Sequence, residues 1–337
     1  MPIRHVSRRG AMQFLSGAGL AAIAPLDRSW ARGAAADTLN FLAVGDWGRE
    51  GRNHQRDVAV QMGRAAGRLG AEFVVSVGDN FYDDGVASID DLAWQHSFEQ
   101  VYDAPSLQVP WQVALGNHDY RGSAQAQIDY SAVSRRWRLP ARWYDFTQTA
   151  PDGATVHFFV IDTSPMIRHY YDDGATVVKV GDQRANVPVQ LAWLDRALDR
   201  SSADWKIVIG HHPVYTGKAS EQQVAVGNVS DEHRQGGNPE LIAALDPILQ
   251  RHNVALYLNG HDHDLQHVHH GDTHYICTGA GSLTEDRCFA EESDFCSFES
   301  GFVACRVDRQ NLSVAYIDYR GRQLDVVDLQ PWNRSTT

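Results

Sequence analysis

Five times along this chain an apolar run meets a glycine and then a side chain that can hold a metal ion. The blocks are Val44-Gly45-Asp46, Val77-Gly78-Asp79, Leu115-Gly116-Asn117, Ile209-Gly210-His211 and Asn259-Gly260-His261. One such block is an ordinary turn, because Asp and Asn are turn residues by chemistry. Five demand a fold that gathers the ends of several buried strands at one place. Loops at strand ends are where layered α/β folds build their sites. Glycine is expected to let the backbone turn sharply enough to aim each side chain over the strand end.

The apolar runs themselves are Leu39–Val44, Phe73–Val77, Gln112–Leu115, Val156–Ile161, Lys206–Ile209 and Ala255–Leu258. Short continuous runs of this kind read as strands buried on both faces. The fourth, Val156–Ile161, ends in no such block. Helical segments lie between them. Val58–Leu69 is one, Gln190–Leu198 another, and Ser88 opens a third by capping-box spacing to Asp91. The clearest has Asn238 as N-cap and Pro239 in its first turn, followed by an apolar stripe of Leu241, Ala244, Leu245, Ile248 and Leu249. After residue 272 the pattern turns strand-rich: His274–Thr278, Gly301–Val307, Leu312–Asp318 and Gln323–Leu329. Alternation followed by strands predicts an α/β fold, a layered β-sandwich of mixed sheets flanked by helices. No linker or repeat divides residues 37–337, which read as one domain. Gly217–Gly237 is the main irregular stretch and reads as a lid or an insert.

Asp, Asn, Tyr and His offer oxygens and imidazoles without thiolate, which favours Fe, Mn or Zn over Cu(I) or Fe–S. The chain carries 16 histidines, more than a core needs. Its net charge of −12 argues against nucleic acid, whose backbone calls for a basic face.

Residues 1–36 read as an export signal. Arg4 and the pair Arg8-Arg9 precede an apolar run from Leu15 to Pro25, and Ala34-Ala35-Ala36 offers a cleavage site before Asp37. The segment resembles a Tat signal, so Tat export machinery is an expected partner and the location is periplasmic or secreted. The apolar run is too short to span a bilayer, so no stable membrane association is expected. Losing five Arg and one Asp with the leader would move the net charge from −12 to −16. The four cysteines are too few for a disulfide scaffold. Cys288 and Cys296 flank a polar loop, Cys277 and Cys305 sit in apolar runs, and the spacing does not choose among pairings.

The order of the blocks resembles the binuclear metallophosphoesterases, and Tyr82 narrows this to the purple acid phosphatases. Ala43–Gly48, Val77–Val86, Leu115–Asp119, Gln190–Pro213 and Asn259–Gln266 are similar to the short, tartrate-resistant branch. The resemblance implies that Asp46, Tyr82 and His263 hold Fe(III), that Asn117, His211 and His261 hold a divalent Fe, Zn or Mn, and that Asp79 bridges the pair. It implies an exported acid phosphatase that hydrolyses small phosphate monoesters, a metal-bound hydroxide attacking phosphorus in line. His118 is the candidate for phosphate contact and protonation of the leaving group; the bland reading makes it an orienter of Asn117. His212 stands where the short branch usually has an aromatic and faces either solvent or pocket. A second acid histidine expected soon after His211 is missing from Thr216–Ser220, which leaves His233 in the insert Glu221–Gly237 as the one available. His267, His269 and His270 are expected in a solvated loop, and Trp47 and Phe81 as packing around the metals. The rival readings are a phosphodiesterase or nucleotide hydrolase on the same site, and an exported metal- or phosphate-binding protein without turnover.

Overall fold

The computed structural model describes residues 37–172, 177–217, 237–284 and 293–331. The proposed leader, His233, Cys288 and most of the Gly217–Gly237 stretch lie outside them. All six apolar runs become strands: β1 (Leu39–Val44), β2 (Phe73–Ser76), β3 (Trp111–Val113), β6 (Thr155–Val160), β7 (Trp205–Ile209) and β8 (Leu256–Asn259). Between and after them come β4 (Trp137–Arg138), β5 (Tyr144–Thr149), β9 (Leu265–His270), β10 (Thr273–Thr278), β11 (Phe295–Ser297), β12 (Gly301–Val307), β13 (Leu312–Asp318) and β14 (Gln323–Leu329).

These strands form two sheets of seven, ordered β14-β13-β12-β1-β2-β3-β4 and β11-β9-β10-β8-β7-β6-β5. Within the first, β1 to β4 run parallel and β12 to β14 antiparallel. Within the second, β6, β7, β8 and β10 run parallel. The sheets face each other. Side chains alternate across β1, so Phe41 and Ala43 point inward, with the Phe41 and Phe73 rings edge-on to Phe158 of the other sheet at 5.4 and 5.5 Å. Leu42 and Val44 point outward under helix α1 (Gln55–Leu69), packing with Val58 and Met62. Every residue of β1 is buried, which is why the run lacks the alternation of a half-exposed strand. Further helices are α2 (Ala124–Tyr130), α3 (Val187–Arg200) and α4 (Pro239–Arg251).

At α4 the Asn238 Oδ1 accepts from the amides of Glu240 and Leu241 at 2.9 and 3.1 Å, the cap that the spacing predicts. Two expectations are corrected. No helix starts at Ser88; a π-helical stretch, Trp94–Glu99, follows instead, and just before it Asp91 accepts from Ala93 N at 2.9 Å. Its other oxygen accepts from Ala87 N, so the Ser-x-x-Asp spacing closes a turn rather than opening a helix. Nor do His267, His269 and His270 occupy a solvated loop. They lie on β9, which pairs antiparallel with β10, and His267 is buried.

Candidate metal centre

Because β1, β2 and β3 run parallel in one sheet and β7 and β8 in the other, their carboxyl ends open on the same edge of the sandwich. The loops there carry Asp46, Asp79 with Tyr82, Asn117 with His118, His211 with His212, and His261 with His263. Three of these positions take left-handed backbone: Asp46 (φ 58°), Asp79 (φ 49°) and His261 (φ 69°). Such conformations in non-glycine residues gather where function over-determines the backbone.

The expectation that glycine supplies this freedom is corrected. Of the five block glycines only Gly78 has positive φ, 101°. The others supply space. A Cβ on Gly116 would lie 2.2 Å from Asp79 Oδ1, and one on Gly260 would lie 2.3 Å from Asp46 Oδ2. The side chain that needs the gap belongs to another strand end, so the blocks interlock.

The seven side chains form two groups joined at Asp79. On one side the Tyr82 hydroxyl lies 2.8 Å from Asp46 Oδ1, 2.9 Å from Asp79 Oδ2 and 2.9 Å from His263 Nε2. On the other, Asn117 Oδ1 lies 3.0 Å from His261 Nδ1 and 3.1 Å from His211 Nε2, and His211 Nε2 is 3.4 Å from Asp79 Oδ1. Asp46, Asp79 and His211 are buried. Asp46, Asp79 and His211 offer ligand atoms within 4.8 Å of one another, as do His211, His212 and His261.

This donor set fits cations. His211 Nδ1 faces the Val77 carbonyl at 3.0 Å, and a carbonyl only accepts, so that nitrogen carries the proton. The Nε2 of the neutral ring then presents its lone pair to the oxygens of Asn117 and Asp79. Tyr82 has one phenolic proton for the two carboxylates it faces, with His263 Nε2 beside it. Oxygens and a ring nitrogen facing each other in a buried place are the acceptors of a positive charge that both groups share. Without such an ion, protons take its place. Burial pushes the His211 imidazole down, but the Asp79 carboxylate outweighs it and the value rises to about 9. Burial likewise pushes the Asp79 carboxyl up, but His211 and His118 hold it well below the carboxylate range. Burial, then the Asp46 and Asp79 carboxylates, drive the Tyr82 phenol well above its usual value.

His118 stands at the mouth, its side chain 17% exposed and its ring 4.3 Å from that of Tyr82. Its amide donates to Asp79 Oδ1 at 2.8 Å, its Nδ1 faces the Asp83 carbonyl at 2.6 Å, and its Nε2 lies 3.9 Å from Asp79 Oδ2. His212 points away from solvent. It is buried, with Nδ1 2.8 Å from Thr163 Oγ1 and Nε2 3.0 Å from the Tyr170 hydroxyl, and its ring lies 4.4 Å from that of His261. Trp47 and Phe81 pack edge to face at 5.4 Å within an aromatic cluster under the outer helices.

Sequence reasoning missed the scaffold beneath the ligands. The buried Asp119 carboxylate accepts from the amides of Gly116 and Asn80 at 2.8 and 3.0 Å and from Gln127 Nε2 at 2.7 Å, tying the loops of Asn117 and Asp79 together. Burial and the neighbouring Asp79 push its carboxyl up to about 7. The signal was present in Asp119 and Asn80, each one or two places after a ligand. Arg49 was missed as well: its guanidinium lies 3.7 Å from the Tyr82 ring centroid.

A family model for calcineurin-like phosphoesterases matches residues 39–265. Purple acid phosphatase 4 of Arabidopsis thaliana is 36% identical over 297 residues, 85% of this chain and 82% of that protein. Tartrate-resistant acid phosphatase type 5 of Oryctolagus cuniculus is 34% identical over 318 residues, 88% and 91% respectively. Among solved structures, the purple acid phosphatase PPD1 of yellow lupin shares the fold at a TM-score of 0.62 and 16% identity, over 88% of this chain and 54% of that one. GAP50, described as the anchor in the inner membrane complex of Plasmodium, shares it at 0.73 and 23% identity, over 89% and 91%.

Proposed function

Because the chain belongs to the calcineurin-like phosphoesterases and, among them, to the purple acid phosphatases, we propose that this acid phosphatase hydrolyses small phosphate monoesters outside the cytoplasm. The family implies a binuclear metal centre. Asp46, Tyr82 and His263 would hold Fe(III), which the phenolate favours; Asn117, His211 and His261 would hold Fe(II), Zn(II) or Mn(II); Asp79 would serve both. When bound, the metals supply a nucleophilic water of lowered pKa and positive charge against the phosphate oxygens for an in-line displacement.

The chain's own residues do the rest. Asp79 fixes the spacing of the two groups, touching Tyr82 on one side and His211 on the other. That contact carries the reading, since a mononuclear site would have no use for a carboxylate shared between complete donor sets. His118 holds one proton at Nδ1 against the Asp83 carbonyl. A second proton at Nε2, at the mouth, is therefore the one available to a departing alkoxide. His212, closed in by Thr163 and Tyr170, supports the ring of His261 rather than meeting substrate. His233 stays a proposed donor from the insert.

The leader's Arg8-Arg9 and Ala34-Ala35-Ala36 support Tat export to the periplasm or beyond. So does Cys296, which is disulfide-bonded, while Cys277 and Cys305 are free and buried. Among the described residues no helix is long and apolar enough to cross a membrane. Turnover of nitrophenyl phosphate against bis-nitrophenyl phosphate tests the substrate class. The monoester is expected to be the better substrate by kcat/KM; preference for the diester would establish the phosphodiesterase reading instead.

A further inference from the structure

The strand that ends in no metal block, β6, is followed two residues on by Asp162. Its place is unusual for a carboxylate. It is 1% exposed, and Gln190 of α3 clamps its backbone from both sides, accepting from Asp162 N at 2.7 Å and donating to Asp162 O at 3.0 Å. Asp162 Oδ2 accepts a short hydrogen bond from the Tyr120 hydroxyl, which in turn accepts from Arg142 Nη1 at 2.7 Å. Tyr120 is buried and lies three residues beyond Asn117, in the loop that also carries His118. The residue after Asp162, Thr163, holds His212, which follows His211 in the chain.

We propose that the Arg142–Tyr120–Asp162 chain is a latch between the two sheets, and that it positions Asn117 against His211 and His261. The donor group on the Tyr82 side also spans both sheets but has its own ties across them, His263 against Tyr82 and the His261 amide on Asp46 Oδ2. The Asn117 group crosses between sheets too, β3 to β7, and Tyr120 lies in the loop that carries Asn117. Asn117 is a neutral ligand that attracts a cation weakly, so its exact placement matters most there. Burying a carboxyl and a phenol without water is costly, and the pairing of the two offsets that cost only in this geometry. Asp162 and Tyr120 are therefore positioning residues for the divalent ion, a role that rests on the two-metal reading.

Tyr120→Phe removes one hydroxyl with little change in volume, and Asp162→Asn keeps the shape without the charge. Both should weaken the divalent ion by about 10–100-fold, the range for partners that orient ligands. The measurement is titration of Zn(II) into protein stripped of its labile metal, followed by calorimetry. The visible absorption from the Tyr82 side should stay, and the thermal midpoint should fall by about a few degrees, the cost of one buried hydrogen bond. Parallel loss of both metals with a large fall in midpoint would make the chain a general stabiliser and overturn the inference. Unchanged Zn(II) affinity in Tyr120→Phe would overturn it as well. A wild type that takes up no second metal would overturn the two-metal reading, a failure visible before any variant is made.

Discussion

At Tyr82 a single oxygen serves two carboxylates and an imidazole. A phenol buried beside two negative charges keeps its proton, so a Tyr82 that reports as phenolate at neutral pH does so through a cation. Iron-loaded wild type is expected to absorb broadly in the visible, and Tyr82→Phe to bleach that band while the circular dichroism stays native. A colourless iron-loaded wild type would remove Tyr82 from the ligand set. Gly116 tests the interlocking of the blocks. Gly116→Ala places a methyl where Asp79 Oδ1 stands, so metal content should fall by elemental analysis although the substitution touches no ligand; full metal content would show that the loop yields. His118→Ala should keep both metals and lower kcat by about 10²–10⁴-fold, the range for a lost general acid. That loss should shrink for nitrophenyl phosphate, whose leaving group needs less protonation. An equal loss for every leaving group would assign His118 to phosphate contact alone, and the same series on His233→Ala tests the insert.

Among the elements, the mostly buried runs were legible and so was the edge strand β14, while the edge strands β4, β5 and β11 were not. The runs that became β1, β2, β6, β7 and β8 stand out because most of their positions are apolar and buried, with Asn40, Ser76, His157 and Lys206 as polar exceptions, and the α4 cap because Asn238-Pro239 pairs a side-chain acceptor with a residue that needs no donor. β5 escaped notice, since it is an edge strand half exposed residue by residue. β9 did too: Leu-Gln-His-Val-His-His reads as polar, yet its histidines stack on a partner strand. The His274 ring lies 4.2 Å from His269 and its Nδ1 2.9 Å from His267 Nε2. Burial first, then the two histidines, lowers His274 to about 4. A histidine depressed in the folded state binds its proton more readily when unfolded. Its contribution is therefore present above the ordinary value near 6.5 and is lost as pH falls towards 4. Urea midpoints measured from pH 7 to pH 4 should fall more steeply in the wild type than in His274→Phe. Parallel curves would mean that β9 and β10 do not sense that proton.

On the scale of the whole molecule, two sheets bring together ligands separated by more than two hundred residues, from Asp46 to His263. The order of the blocks made that gathering legible, because each run had to end at a common edge. Which sheet each strand joins was not legible, since burial on both faces erases the pattern that tells one sheet from another. That division is what makes Asp79 central: it belongs to one sheet and meets His211 of the other at 3.4 Å. A shared sandwich fold does not by itself imply turnover, so the ligands must carry the claim. Elemental analysis of the purified mature chain tests that claim most directly. Two metal ions per chain are expected, at least one of them iron; a single ion per fully active chain would contradict the binuclear account.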